Sequence, residues 1–320
     1  MGKMYLNDRI RRRTEQESNP LIIIGAPSSA GAYAPEQEKA PEALRSVGLL
    51  DWLRAHDVHV DDRGDVPGFR WCVDKANPRA MNADKVTMVA KATADRVASA
   101  LAEDSATLVL GGDCTVELGT VAGALGRTES IGLVYIDLDT DLNTPNSTED
   151  GALDWMGVAH MLGIEGTVPE LAGFGPRVPM LRSDQVLFFA NDNSKPFERE
   201  IIEDRGIAEV RMASVVADPS GAAQSVVDGW ARRFDRLIVH LDLDVLDYFD
   251  MPLAENTRRK GIEFNQFMTC LQVFLQAQNW VGLTVAELNP DHGEKDGSTL
   301  RSFAKSLSCV LSSSPRLRSN

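Results

Sequence analysis

The chain contains 320 residues, 43% of them hydrophobic and 25% charged, a mixture typical of folded globular proteins and not of disordered or fibrous ones. With 33 basic and 47 acidic residues its net charge is −14, which repels a phosphate backbone and argues against nucleic acid as a partner. The sequence has no apolar run of the ~18 residues that a membrane span needs, and its four cysteines are too scattered for a disulfide framework, so we expect a cytoplasmic protein with no membrane partner.

The first half of the chain alternates strand and helix patterns. A continuous apolar run, Leu21–Gly25, predicts a buried parallel strand. Apolar residues at intervals of three between Pro41 and Leu53 then predict one helix. Asn82 is expected to cap a second helix, after which residues 107–110 return to the strand pattern.

The second half continues the same alternation. Further strands are predicted over residues 131–136, 186–189, 236–243 and 280–288, and further helices over residues 220–233 and 265–277. Strands separated by helix-length segments predict an α/β fold, a single three-layer αβα domain with a mostly parallel sheet. We expect this domain to span residues 21–311, between a flexible polar leader at 1–20 and a loose tail at 312–320.

Several of the predicted strands end in acidic residues. In open α/β sheets ligands bind beyond the carboxyl ends of the strands, so these residues are the first candidates for a site. Because side chains alternate along an extended chain, Asp137, Asp139 and Asp141 are expected to point the same way, and so are Asp242 and Asp244. Carboxylates this close repel one another unless cations neutralise them. The pattern therefore favours a two-metal site over solvated acid runs, with ions such as manganese or magnesium.

The acidic residues stand in motifs that resemble those of a known family. Gly-Gly-Asp-x at 111–114, Asp-x-x-x-Asp-Leu-Asn-Thr-Pro at 137–145, Asp-x-Asp-x-x-Asp at 242–247 and Glu-x-Asn-Pro at 287–290 occur in the order of the arginase and agmatinase superfamily of ureohydrolases. The resemblance spans about Leu21 to Val310 and implies an arginase-like hydrolase of guanidino compounds with a binuclear manganese centre. It also implies a homo-oligomer, a trimer or a hexamer.

The resemblance implies metal ligands at Cys114, Asp137, Asp139, Asp141, Asp242 and Asp244. Cys114 and Asp139 stand where the family has histidine ligands, so the chain is a divergent member whose ligand shell is more negative. Such a shell weakens the acidity of a bound water unless the metals differ, a ligand is protonated or one metal is lost. We therefore expect one or two divalent ions per chain, with Mn²⁺ as the first candidate.

Substrate-binding residues follow from the same resemblance. Glu287 stands where the family binds guanidinium, and Asn143 and Asp150 fall where it contacts substrate. Asp154 replaces a third family histidine, the proton shuttle of arginases, and is the candidate proton carrier. An ordinary Asx turn is an alternative for Asn143, as a loop or cap role is for both aspartates. Together the acids predict a pocket for a small cationic guanidino or amidino substrate, while the basic loop at 252–260 argues against arginine itself.

Two further side chains have competing interpretations. Cys114 is interpreted as a metal thiolate in preference to a small buried residue. A nucleophilic cysteine is disfavoured, since no histidine stands at the family's positions to activate it. His240 shares the strand parity of Asp242 and is expected to support a ligand carboxylate in preference to binding metal directly.

We predict a metal-dependent hydrolase of a guanidino or amidino C–N bond, in which a metal-bridging hydroxide attacks, Glu287 orients the substrate and Asp154 carries the proton. A non-catalytic homologue with the same fold is the alternative, because all three family histidines are replaced. A third hypothesis is an aspartate-based phosphohydrolase, since residues 136–140 resemble the Asp-x-Asp strand of haloacid-dehalogenase-type phosphatases. That motif normally opens the first core strand, and so acidic a pocket repels phosphate.

Overall fold

The structure, a computed structural model, describes residues 19–148 and 150–318. Its strands are β1 (Leu21–Gly25), β2 (Val60–Asp65), β3 (Ala106–Leu110), β4 (Ile131–Ile136), β5 (Val186–Phe189), β6 (Ala208–Val210), β7 (Arg236–Asp242) and β8 (Trp280–Ala286). They form one sheet in the order β2-β1-β3-β8-β7-β4-β5-β6, and every neighbouring pair is parallel. The predicted α/β fold is confirmed, with a sheet that is parallel throughout.

Helices cover both faces of the sheet. They are α1 (Ala40–Ser46), α2 (Leu49–Ala55), α3 (Ala83–Ala102), α4 (Val116–Leu125), α5 (Gly157–Met161), α6 (Pro169–Ala172), α7 (Pro196–Arg205), α8 (Met212–Ala217), α9 (Pro219–Ser225), α10 (Phe264–Leu275) and α11 (Ser298–Ser312). One buried apolar cluster includes side chains of α1, α2, α10 and α11, and the other includes those of α3, α4 and α5. This is the predicted three-layer arrangement. None of the described helices is both long and apolar enough to span a membrane.

The sequence patterns do not predict the two edge strands. The interior strands β1, β3 and β4 are completely buried, as continuous apolar runs require. At one edge β2 reads Val-Asp-Asp-Arg-Gly-Asp and is partly exposed, and at the other β6 has three residues. Short or charged edge strands resist pairing with other chains, and they lack the apolar run by which buried strands are predicted.

The helix predicted between Pro41 and Leu53 is in fact two helices. Helix α1 ends at Ser46 and α2 begins at Leu49, with Gly48 between them at a φ of 96°. Glycine adopts this left-handed conformation without a Cβ clash, and the turn interrupts the helical hydrogen-bond ladder. The apolar spacing runs across the break because both helices face the same core cluster.

The predicted tail is packed where the structure describes it. Residues 1–18 of the predicted leader and residues 319–320 of the predicted tail lie outside the described residues. Ser314 is buried, and its hydroxyl donates to the carbonyl of Leu275 at 2.6 Å. Leu317 is 1% exposed and belongs to a core cluster. The packed domain therefore continues beyond residue 311, because the terminal segment buries apolar surface of its own.

Helices α3 and α4 approach each other closely beside the loop that carries Cys114. A Cβ at Gly119 would lie 2.6 Å from the carbonyl oxygen of Ala90, and one at Gly123 would lie 2.5 Å from that of Ala94. These contacts leave no room for a side chain. Since α4 begins directly after the loop that carries Cys114, the packing of the two helices helps to position that residue.

Gly123→Ala should therefore lower the free energy of unfolding by about 1 to 3 kcal/mol, because the added methyl group overlaps a backbone oxygen. Gly126→Ala is the matched control, since Gly126 ends the same helix at a φ of −61° and its Cβ would stay 3.3 Å from the nearest oxygen. Urea unfolding of both variants measures the difference. Equal midpoints would show that the two helices are not packed so closely.

Candidate metal and substrate site

The site lies at the carboxyl edge of β3, β8, β7 and β4, which are neighbours in the sheet. Each of these strands is followed by one or more of the predicted site residues. One pocket at this edge is lined by Tyr33, Cys114, Asp139, Asp141, Asp154, Trp155, Asp242, Asp244 and Glu287. The strand order therefore brings together residues that are widely separated in sequence, as expected for an open parallel sheet.

Cys114, Asp137 and Asp242 converge most closely. One ligand atom from each lies within 4.8 Å of the other two, and all three residues are buried. The Cys114 thiol donates to Asp242 Oδ2 at 3.1 Å. Among the described residues nothing hydrogen-bonds Asp137 Oδ2, although this oxygen is buried. An unpartnered buried carboxylate oxygen is destabilising unless a cation binds it, so two carboxylates and a thiol in this arrangement fit one divalent ion.

Asp141 and Asp244 border the same pocket with one oxygen each already engaged. The Tyr135 hydroxyl donates to Asp141 Oδ2, and the backbone N–H of Asn256 donates to Asp244 Oδ1 at 3.0 Å. Asp141 has a φ of 48°, and Glu287 has a φ of 57°. Left-handed conformations are uncommon for residues with side chains and cluster at functional sites. The backbone at Asp141 and Glu287 therefore adopts an unfavourable conformation at this edge of the sheet, as is common at functional sites.

Asp139 is placed differently from the other acids. Strand β4 ends before these residues, so the alternation that predicted one direction for Asp137, Asp139 and Asp141 does not extend through the loop. Asp139 Oδ1 accepts from Asn193 Nδ2 at 2.5 Å, and Oδ2 is paired with the Arg258 guanidinium. Asp139 does not belong to the converging set. Because the Asp139 carboxylate is already neutralised by a guanidinium, the arrangement does not fit a second ion at this residue.

Glu287 and Asp154 face the pocket with their carboxyl groups. Glu287 Oε1 accepts from the backbone N–H of Cys114 at 2.9 Å, and Oε2 accepts from Gln37 Nε2 at 3.2 Å. Each carboxylate oxygen has two lone pairs, so Glu287 can still accept from a planar cation. Asp154 is buried and accepts from the backbone N–H of Trp155 at 2.9 Å. Both acids are thus in place to contact a ligand in the pocket.

The two other predicted substrate contacts are outside the pocket lining. Asn143 is buried, donating to Glu198 at 3.2 Å and accepting from Lys195 at 3.2 Å. Asp150 is exposed and accepts from the backbone N–H of Ala152 at 3.1 Å. Asn143 therefore ties the loop after β4 to the start of α7 and not to its own backbone, whereas Asp150 accepts from a backbone N–H two residues on, which is the local loop role given as its alternative.

The pocket is narrow and has an aromatic mouth. Its volume is about 20 Å³, the room that one water needs. The rings of Tyr33 and Trp155 stack with centroids 6.4 Å apart and an angle of 19° between their planes. The Arg258 guanidinium lies over the Trp155 ring, 5.8 Å from its centroid. A guanidino compound can reach Glu287 only after some of these side chains have moved.

A buried row of three side chains runs behind the pocket. His240 Nε2 lies 3.3 Å from Cys114 Sγ, and His240 Nδ1 lies 3.3 Å from Glu117 Oε2. The imidazole also stacks on Tyr135, with centroids 4.3 Å apart. His240 therefore contacts the cysteine, where support of a ligand carboxylate was the expectation. Glu117 is not predicted, although it lies one helical turn after Cys114 and that spacing places both on one side of the chain.

Burial raises the pKa values of the acids around the pocket. The pKa of Asp137 rises to about 6, first because of burial and then because of Asp139. Burial and neighbouring carboxylates raise the pKa values of Asp242 and Glu287 well above their usual range. Burial and the nearby Asp242 likewise raise the pKa of the Cys114 thiol. A bound cation would reverse all these shifts, because it favours the ionised ligands.

The partners of the predicted acids are the residues that sequence patterns miss. Arg258 is separated by 119 positions from Asp139, and Gln37 by 250 positions from Glu287. Neither stands in a recognisable motif. The basic character of the loop at 252–260 is the one signal in the sequence that points toward Arg258.

Comparison with known proteins identifies relatives along nearly the whole chain. A family model described as the arginase family matches residues 19–312. Arginase-1 of Homo sapiens is 26% identical over 298 residues, 92% of each chain. The crystal structure of arginase from Bacillus subtilis has a TM-score of 0.81 at 23% identity, covering 91% of this chain and 98% of that one. Formimidoylglutamase from the same species has a TM-score of 0.72 at 15% identity, covering 94% and 89%. At these identities the two structures show a shared fold.

The raised pKa values should make the effect of a divalent ion depend on pH. The folded pKa of Asp137, about 6, exceeds its ordinary value of 3.8. The metal-free chain therefore loses stability as pH rises from about 4 through 6, because the unfolded chain releases protons that the folded chain retains. A bound ion removes this loss. Mn²⁺ at about 100 times its Kd should stabilise the fold by about 2.7 kcal/mol at pH 8 and by much less at pH 5.

Thermal unfolding with chelator or with Mn²⁺, at both pH values, measures this effect. Asp137→Asn should abolish the stabilisation by the ion. Asp57→Asn is the control and should retain it, because Asp57 is exposed and has a φ of 60°, which asparagine tolerates. Melting temperatures at pH 8 that are identical with and without Mn²⁺ would rule out a metal site formed by these residues.

Proposed function

The chain belongs to the arginase family, and on this premise we propose that it hydrolyses a carbon–nitrogen bond of a small cationic guanidino or amidino compound with a divalent ion. The family relationship supports the class of hydrolase. The observation that supports the ion and the cationic substrate is the convergence of Cys114, Asp137 and Asp242 next to Glu287. One buried carboxylate oxygen of this set is unpartnered among the described residues.

In this proposal Cys114, Asp137 and Asp242 hold the ion, and the carboxylates of Asp141 and Asp244 lie at its border. Mn²⁺ is the first candidate because most of these donors are carboxylates, while the thiol would also suit zinc. A divalent ion bound here would lower the pKa of a water and polarise the substrate. His240 fixes the position of the cysteine sulfur from behind.

Glu287 is the proposed binding residue for the substrate cation. The planar N–H groups of a guanidinium or amidinium match the geometry of a carboxylate, and the backbone N–H of Cys114 keeps Glu287 directed at the pocket. Burial, followed by the charge of Asp113, raises the pKa of Asp154 well above its usual range. This shift favours the protonated carboxyl, so Asp154 is the proposed donor of a proton to the departing nitrogen.

The mouth of the pocket restricts the remainder of the substrate. Arg258 brings a permanent positive charge beside Trp155, so a second cationic group on the substrate would be repelled there. A neutral or acidic tail would be accepted. Asn143 and Asp150 hold the loop at the mouth, and in this proposal they shape substrate binding without touching the substrate.

A cysteine nucleophile is a second candidate, favoured by the contacts among Cys114, His240 and Glu117. Against it, burial and the neighbouring Asp242 raise the pKa of the thiol. Activity that survives chelation and is lost with iodoacetamide would support the nucleophile.

A third hypothesis is a non-catalytic homologue. The phosphohydrolase hypothesis has no support from the family relationship, and a phosphoaspartate trapped at Asp137 would be needed to restore it.

We also propose that the protein is a cytoplasmic homo-oligomer, a trimer or a hexamer. Four free cysteines agree with a reducing compartment. Sedimentation equilibrium of the purified chain tests the assembly, and a monomer at all concentrations would contradict it.

Glu287→Gln should reduce kcat/KM by roughly 10- to 100-fold, because it removes a charged hydrogen-bond acceptor, which contributes about 1.5 to 3 kcal/mol. The measurement is ammonia or urea release from a panel of guanidino and amidino compounds, with neutral, acidic and basic tails, in the presence of Mn²⁺. Glu209→Gln is the control, because Glu209 is paired with Arg199 on the edge strand β6 and should leave turnover unchanged.

The outcomes separate the candidate functions. Turnover that Glu287→Gln leaves untouched would show that the proposed recognition of the cation does not operate. A protein that binds the ion but turns over no compound of the panel would favour the non-catalytic homologue. Turnover that survives complete removal of the ion would favour the cysteine nucleophile.

A further inference from the structure

Asp139 and Arg258 form an ion pair inside the candidate site. The Arg258 guanidinium is bonded to one carboxylate oxygen of Asp139, and Asn193 Nδ2 donates to the other at 2.5 Å. The Asp139 side chain is 13% exposed and that of Arg258 is 22% exposed, so the pair is mostly withdrawn from water. Water screens such a pair less than it screens exposed charges, and removal of one partner leaves the other charge poorly compensated.

The loop that carries Arg258 is built to keep its guanidinium in place. The carbonyl of Arg258 accepts from the backbone N–H of Tyr248 at 3.1 Å, which closes the loop at its base. The backbone N–H of Asp247 donates to the carbonyl of Ile262 at 2.9 Å, a second closing bond. On its free side the guanidinium rests over the Trp155 ring. The side chain of Arg258 therefore has a defined position at the pocket.

The charge of Arg258 acts on the whole cluster of acids. Burial lowers the pKa of the guanidinium, but Asp139, Asp244 and Asp137 together outweigh burial, so the net shift of its pKa is upward. The guanidinium remains positive at any pH at which the protein is folded. A fixed cation at this place meets the same need that a metal ion meets, the neutralisation of crowded carboxylates.

We propose that Arg258 is a built-in cation that takes the place of a second divalent ion, so that the centre holds one ion, at Cys114, Asp137 and Asp242. The inference rests on the proposed function, because it presupposes that one divalent ion binds. Asp139 is the predicted ligand whose carboxylate is paired with a guanidinium, so Arg258 already occupies the cation position beside it. Entry of a second ion would therefore require that Arg258 leave both Asp139 and Trp155.

Metal stoichiometry tests the inference without any measurement of activity. The wild-type chain, loaded with Mn²⁺ and freed of excess, should contain one ion per chain by elemental analysis. Arg258→Gln frees Asp139 and should raise the content to two, with the spin-coupled resonance signal of a manganese pair in place of that of a single ion. Arg258→Lys keeps the charge and should hold one ion. Arg259→Gln is the matched control, because Arg259 is exposed over the Phe249 ring and should also hold one.

A double variant controls for a folding defect caused by an unpaired charge. Arg258→Gln leaves Asp139 without its cation, whereas Asp139→Asn with Arg258→Gln removes both charges, and this double variant should hold one ion. Circular dichroism shows that each variant is folded. Two ions in the wild type, or one ion in a folded Arg258→Gln, would overturn the inference and leave the proposed function intact. No ion in any variant would overturn the proposed metal centre and the inference together.

Discussion

The structure depends on keeping crowded carboxyl groups together at one buried edge of a parallel sheet. Loss of water and mutual repulsion both oppose ionisation there, and the raised pKa values of Asp137, Asp242 and Glu287 express this conflict. Backbone N–H groups relieve part of it, as the amide of Cys114 does for Glu287. Protonation or a cation must offset the remainder; the chain supplies one cation of its own, Arg258, and leaves Asp137 Oδ2 unpartnered among the described residues.

The two positions at which the family resemblance places a histidine, Cys114 and Asp139, both have side-chain partners. Cys114 contacts His240, whose other ring nitrogen faces Glu117, and this row is buried behind the pocket. One carboxylate oxygen of Asp139 accepts a hydrogen bond from Arg258, and the other accepts one from Asn193. Side chains thus satisfy polar groups at both positions, while Asp137 Oδ2 and Glu117 Oε1 remain buried without a partner among the described residues.

Access to the site and its charge are coupled through the same residue. The Arg258 guanidinium lies over Trp155, which stacks on Tyr33 at the mouth of a pocket of about 20 Å³. Movement of the aromatic mouth would therefore disturb the ion pair with Asp139. Under the proposed function, a substrate that opens the pocket must offset that disturbance by its own contacts, such as those of a cation with Glu287.

The sequence by itself determined the fold class, the interior strands and the motifs, because continuous apolar runs and strand-end acids are local signals. It identified the acids at the edge of the sheet, and with them His240 as a neighbour of the site. It could not show that Asp139 stays outside the set formed by Cys114, Asp137 and Asp242, since the side-chain alternation of a strand stops where β4 ends. It could not pair Arg258 with Asp139 or Gln37 with Glu287, because such contacts join distant segments and depend on loop conformation. Those pairings were decided by the tertiary structure alone, which sets the neighbours of each charge.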